Sequence, residues 1–117
     1  MKYIQVAIKR AQASQCRYRL GAVVAVGGRV VSSATNKKRN NPAIDFTNAT
    51  FHAEEAALRR LRSSKGGVIY VARIDSKGKA ALARPCMRCQ ELLSSAGITK
   101  AYYTIDDETV GYLALTS

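Results

Sequence analysis

Acidic residues are scarce in this 117-residue chain: 8 stand against 19 lysines and arginines, leaving a formal net charge of +11. The surplus runs along the whole length rather than gathering in a tail. Charge of one sign on this scale repels itself. A phosphate-bearing substrate is one reason to carry it, and a solvated basic surface serving solubility is the other. Long apolar runs are missing as well. No segment approaches the ~20 consecutive apolar residues of a membrane span, so no membrane partner is expected. Met1-Lys2-Tyr3-Ile4-Gln5 lacks the apolar stretch of a signal peptide, which makes the cytoplasm the expected compartment. The three cysteines are an odd number, which argues against a disulfide framework and for thiol chemistry or metal binding. Internal repeats, low-complexity segments and linkers are also wanting, which predicts one domain over residues 1–117, long enough to bury a core without staples. A hydrophobic fraction of 47% and a charged fraction of 23% are those of an ordinary globular protein.

Periodicity sets out the elements. Lys2 to Gln15 reads as an amphipathic helix, with Ile4, Ala7, Ile8 and Ala11 at helical spacing. Leu20–Val26 and Arg29–Ser33 are two β-branched runs around Gly27-Gly28, the clearest hairpin signal in the chain. Asn36 to Thr50, rich in Asn, Lys and Arg and holding Pro42, reads as a loop. A second helix is expected over His52–Arg62, a buried strand over Val68–Ile74, a turn at Asp75–Lys79, and a third helix from near Pro85 to Gly97. Ile98–Ile105 and Val110–Leu115 read as closing strands, parted by Asp106-Asp107-Glu108. The order predicts an α/β sandwich of three layers, a mixed five-stranded sheet with helices on both faces. Too few residues follow Ile105 to hold both a strand and the crossover of about a dozen or more residues that a parallel strand needs. The last two strands should therefore form an antiparallel hairpin.

Two short patterns carry chemistry. His52-Ala53-Glu54 opens the second expected helix, and Pro85-Cys86-Met87-Arg88-Cys89 opens the third. Cys86 and Cys89 stand three apart, so on a helix both sulfurs face one side and can hold one tetrahedral metal. In a first helical turn the positive end of the helix dipole favours thiolate over thiol. His52 supplies a third ligand, and three protein ligands leave a fourth position open for water, the mark of a catalytic rather than a structural zinc site. His52 and Glu54 are roughly 200° apart on an ideal helix. They meet at one cavity only if the helix points its N-terminus into it. There Zn2+ lowers the pKa of water, and Glu54 can take its proton.

H-x-E followed by P-C-x-x-C is the signature of zinc nucleobase deaminases. On these residues, with the Gly27-Gly28 hairpin, the asparagine after it, the strand between the two patterns and the closing strand in the same order, the chain resembles the cytidine deaminase superfamily over most of its length. The resemblance implies zinc on His52, Cys86 and Cys89, Glu54 as proton shuttle, Asn36 at the sugar or base, and the backbone of Ala53 bordering the base. Asn36 read alone is equally a turn residue. Free cytidine deaminases usually carry cysteine where this chain has His52. Transfer-RNA adenosine deaminases and deoxycytidylate deaminases usually place a T/S-x-E/S-P-C segment directly after the third strand, whereas here Asp75 to Arg84 intervenes. An antiparallel ending is similar to cytidine and blasticidin deaminases and to the toxins and RNA editors of that division. It is unlike the adenosine and deoxycytidylate branches, which insert a helix.

Among the other residues, Cys16 reads as a small buried hydrophobe rather than a ligand. Tyr102 and Tyr103 are adjacent on a strand and face opposite ways, so one can stack on a base, for which Tyr103 is the candidate, while the other joins the core. Lys37, Lys38 and Arg39 follow Asn36 and are phosphate-contact candidates or a solvated loop. Arg88, between the cysteines, is another. The expected activity is hydrolysis of cytosine to uracil in a cytosine-containing nucleotide or single-stranded nucleic acid, with homo-oligomers common among relatives. The alternatives are a free nucleoside, another aminated ring (adenine, guanine or a blasticidin-like antibiotic), or a non-catalytic zinc-stabilised nucleic-acid-binding module.

Overall fold

Gly27 and Gly28 take φ angles of 61° and 79°. Positive φ at both central residues is what a type I′ turn demands, and glycine reaches it without steric cost. The turn joins β1 (Arg19–Val26) to β2 (Arg29–Thr35), paired antiparallel from Val26↔Arg29 to Gly21↔Thr35. Val24 pairs with Ser32 and Ala25 with Val30, so Val31 is the extra residue of a β-bulge. The computed structural model describes residues 2–13, 19–35, 37–38, 50–51, 66–85 and 87–115.

Helix α1 (Lys2–Gln12) precedes the hairpin. After it come β3 (Lys37–Lys38), β4 (Thr50–Phe51), β5 (Val68–Ile74), β6 (Ala80–Ala81), α2 (Met87–Ser95), β7 (Lys100–Thr104) and β8 (Val110–Ala114). The main sheet runs β2-β1-β5-β7-β8, with β6 paired to the end of β5. It is mixed: β1 is antiparallel to β5, β5 parallel to β7, and β7 antiparallel to β8. The closing hairpin expected from the sequence is there, with Thr104↔Val110 at its turn end.

Alternation along the strands separates two faces. Ala22 and Val24 of β1 and Ile69 and Val71 of β5 pack with Leu93 of α2, Ile98, Ala101 and Tyr103. Val23 and Ala72 turn the other way, onto Ala7 of α1. Among the described residues one helix lies on each face, and the three layers follow from period-two patterning in strands buried on both sides. Gly21 faces α1 with no room for a side chain, since a Cβ there would strike the carbonyl of Ala7 and the amide of Ala11. On the same face Tyr70, Tyr102 and Tyr112 stand in register across β5, β7 and β8. Tyr70 and Tyr102 stack with centroids 5.4 Å apart, and Tyr112 tilts against Tyr102 at 5.3 Å. Tyr3 of α1 meets Tyr70 edge-on and donates its hydroxyl to the carbonyl of Gly28. Burial, with Tyr102 and Tyr3 nearby, raises the phenol of Tyr70 above its ordinary range.

Helix α2 ends in a Schellman cap. Ile98 N–H donates to the carbonyl of Leu93 at 3.0 Å, Gly97 N–H donates to that of Ser94 at 3.0 Å, and Gly97 has φ 88°. Leu93 and Ile98 then meet in the core.

Several boundaries differ from the sequence reading. Helix α1 is described to Gln12 rather than Gln15, and residues 14–18 lie outside the described residues. Helix α2 begins at Met87 rather than Pro85, and β7 at Lys100 rather than Ile98, because the cap consumes Gly97 and Ile98. Within the stretch read as a loop, Lys37↔Phe51 and Lys38↔Thr50 pair as a two-stranded ribbon. Two-residue strands have no periodicity to announce them, and the same holds for β6. The helix expected over His52–Arg62 lies outside the described residues.

Candidate active site

The crossover from β5 to β7 places the start of α2 at the carboxyl ends of the two parallel strands. After Ile74, the turn 75–79 leads into β6, which folds back on β5 through Ile74↔Ala80 and Arg73↔Ala81. Ala83 N–H then donates to the carbonyl of Thr104, the last residue of β7, at 2.9 Å. Two residues later Pro85 is buried, and Met87 opens the helix. Ligand sites in α/β sheets favour this end, where helix N-termini point outward from the strands.

Cys89 is the third residue of α2 and is wholly buried, at 0% exposure. Its place in the first turn puts the thiol in the positive field of the helix start, where thiolate is favoured. Gln90 donates its side-chain Nε2 back to the carbonyl of Pro85 at 2.8 Å, tying the helix to the segment before it. Cys86 falls between Pro85 and Met87 and lies outside the described residues, as do His52, Ala53 and Glu54.

The flanking strands nevertheless fix where some of these segments start. β1 runs opposite to β5, with Arg19 against Ile74, so Thr35, opposite Gly21 on β2, also lies at the Ile74 end of the sheet. Asn36, outside the described residues, follows Thr35 directly. Lys37 and Lys38 form β3, opposite Phe51 and Thr50, and His52 is next in sequence after Phe51. The chain thus enters the Asn36 segment and the Pro85-Cys86 segment from one end of the sheet. Arg88 is the second residue of α2.

Tyr103 is on the α2 face, 9% exposed and within the core cluster, with its ring against Gly111. Tyr102 is on the opposite face, in the tyrosine row beneath α1. Of the two, only Tyr103 shares a face with α2.

Thr104 drew no attention in the sequence. It is buried, its hydroxyl donates to the carbonyl of Ala81 at 2.6 Å, and it accepts from the amide of Arg73 at 3.2 Å. Nothing in the sequence marked it out, since Thr99 and Lys100 put other polar residues in the same run.

An imidazole and two thiols form a nitrogen and sulfur donor set that suits zinc. Complete burial of Cys89 also fits a ligand, because a thiolate withdrawn from water gains most from a cation. Among the described residues no helix is long and apolar enough to cross a membrane.

Comparison with known proteins adds the family. The chain is similar to the dCMP deaminase of cyanophage S-TIM5, with 26% identity, coverage of 89% of this chain and 80% of that one, and a TM-score of 0.67. A point variant of the cytidine deaminase of Mycobacterium tuberculosis is also 26% identical, covering 86% and 78% of the two chains at a TM-score of 0.58. A structure from work on tRNA:A34 deaminases shares the fold at 24% identity, 87% and 73% coverage, and a TM-score of 0.58. No curated protein sequence matches. The family profile described as the cytidine and deoxycytidylate deaminase zinc-binding region matches residues 1–105. The expected resemblance is therefore membership: this chain belongs to the cytidine and deoxycytidylate deaminase family.

Proposed function

We propose that this protein hydrolyses the exocyclic amino group of cytosine in a phosphate-bearing substrate, releasing ammonia and leaving uracil. The reading rests on one observation above the others: the family match spans both H-x-E at His52–Glu54 and P-C-x-x-C at Pro85–Cys89. His52, Cys86 and Cys89 would hold zinc. When bound, zinc supplies the Lewis acidity that makes water nucleophilic near neutral pH.

The remaining work falls to the chain's own groups. Glu54 accepts one proton of the attacking water and delivers it to the ring nitrogen, then carries the second, from the hydroxyl newly added to the ring carbon, to the departing amine. Water adds at the ring carbon, the C–N bond breaks, and the amine leaves as ammonia. Asn36 and the backbone of Ala53 border the sugar and base. Lys37, Lys38 and Arg88 offer cations to phosphate.

The +11 charge supports a phosphate-bearing substrate over a neutral nucleoside. Likeness to a dCMP deaminase supports a nucleotide, and single-stranded nucleic acid is the second form the same charge would serve. The site sits in one domain over 1–117, in a cytoplasmic protein that can self-associate.

The test is a panel of cytidine, deoxycytidine, their monophosphates and a cytosine-containing single strand, scored for uracil. Turnover of the monophosphates or the strand above the nucleosides is expected. Turnover confined to adenine, guanine or an antibiotic ring would overturn the cytosine assignment. Zinc-loaded protein inert on every substrate would leave the non-catalytic nucleic-acid-binding module.

A further inference from the structure

Residues 80–83 lead into Pro85-Cys86, and three hydrogen bonds from β7 and the turn after it grip them. Asp107 accepts the amide of Ala80 on Oδ1 at 2.7 Å. Thr104 donates its hydroxyl to the carbonyl of Ala81 at 2.6 Å, and its carbonyl accepts the amide of Ala83 at 2.9 Å. The same hydroxyl accepts the amide of Arg73 at 3.2 Å, so Thr104 also fastens this segment to the end of β5. Asp107 lies 27 residues from Ala80 and Thr104 lies 23 from Ala81. Neither contact follows from local turn chemistry.

We infer that Thr104 and Asp107 are positioning residues for the metal cysteines, acting through residues 80–83, which β7 and the turn after it hold at the end of the sheet ahead of α2. The inference rests on the zinc reading above. The β6 pairing with β5 is only two residues long. So short a ladder does not set the path of the next five residues by itself, and a strand this brief at a sheet margin would fray. Thr104 supplies the missing constraint from a buried position, where its hydroxyl has no water to exchange for its protein partners. Asp107 is exposed, so its share is the smaller. Segments that hold metal ligands in place govern how readily a metal is lost, and disturbing such outer partners typically weakens binding about 10–100-fold.

Stability alone would not produce a selective effect on metal, and that separates a positioning role from a structural one. Holoprotein is mixed with a chromogenic zinc chelator and the release rate followed for Thr104→Val, Thr104→Ser, Asp107→Ala and Ile4→Val. Ile4 is a buried residue of α1, the helix on the opposite face of the sheet, and serves as the control for general destabilisation. Thr104→Val keeps the shape and removes the hydroxyl. It should release zinc about tenfold faster. Asp107→Ala should show a smaller increase, Thr104→Ser should return near the parent, and Ile4→Val should stay at the parent rate. Should Thr104→Val fold too poorly to load, Asp107→Ala carries the comparison from an exposed site. Release from Thr104→Val or Asp107→Ala no faster than from Ile4→Val at matched thermal stability would overturn the inference. Parent protein that binds no zinc at all would instead sink the proposed function, a separate and recognisable result.

Discussion

The ring of Tyr103 lies across Gly111 on the neighbouring strand so closely that a Cβ at position 111 would collide with Cε2, Cζ and the phenolic oxygen. The pairing Tyr103↔Gly111 is thus a large residue fitted over the smallest one. Tyr103 is in the core among Val71, Leu93 and Ala101 and has nowhere to retreat. Gly111→Ala should therefore lower stability by about 1–3 kcal/mol through overpacking. Urea unfolding measures it, and an unchanged midpoint would mean the ring has room to move.

Glu54→Gln tests the proton shuttle. It keeps the size and hydrogen-bonding reach of the side chain and removes the basic carboxylate. Zinc content and the unfolding midpoint should hold, while the uracil-forming rate falls by roughly two or more orders of magnitude. Activity retained at the parent level would remove Glu54 from the mechanism.

Salt separates the two substrate forms. Binding of a single strand releases counterions, with a slope of log K against log salt of about −0.7 per phosphate neutralised. A strand held by several lysines and arginines should show a steep slope, and a mononucleotide a shallow one. Fluorescence anisotropy of a labelled catalytically silent protein complex across a salt series reads the difference. Equal slopes for both ligands would argue that only one phosphate is gripped.

Acid should weaken the fold partly through two turn carboxylates. The amide of Lys79, and then that of Lys77, hold Asp75 below its ordinary range, and the amide of Glu108 with the Thr109 hydroxyl does the same for Asp106. A lowered folded value means the unfolded chain binds the proton first. The stabilisation is present above the ordinary carboxylate range of about 4 and is lost as pH falls through the depressed folded values. The difference between parent and Asp75→Asn in unfolding midpoint should be constant above about pH 5 and shrink below it. A difference that stays the same down to pH 2 would count against the turn as an acid-sensitive element.

How much of this could be read from the sequence depends on the range of the interaction. The Gly27-Gly28 turn was legible because glycine pairs between β-branched runs have one common use. The closing hairpin was legible because the short polar break Asp106-Asp107-Glu108 leaves no room for a crossover between the two apolar runs. Cys89 stood out as a candidate ligand because ligand chemistry allows few residue types at fixed spacing, and the structure adds that it is buried at the start of α2. The β3–β4 ribbon and β6 were missed because two-residue strands owe their existence to partners elsewhere in the chain. Thr104 was missed for a related reason: its partners, Ala81 of the unannounced β6 and Arg73 of β5, are distant in the chain. The choice between Tyr102 and Tyr103 also needed tertiary structure, since alternation says that two neighbours face opposite ways but not which way is which.

The strand order β2-β1-β5-β7-β8 carries a kinetic consequence. Two hairpins, β1–β2 and β7–β8, close over short turns and can form early. The strand between them belongs to neither: β5 meets β1 across a long stretch of chain, from Arg19↔Ile74 to Ala25↔Val68, and reaches β7 only after a helical crossover. Loop closure must be met before such distant contacts reward it. Assembly of the sheet should thus wait on β5. Trimming Val71 to alanine should slow refolding in stopped-flow, whereas trimming Leu113 on the outer hairpin should chiefly hasten unfolding. During synthesis the first hairpin leaves the ribosome long before its keystone, and it must stay soluble alone until that strand arrives.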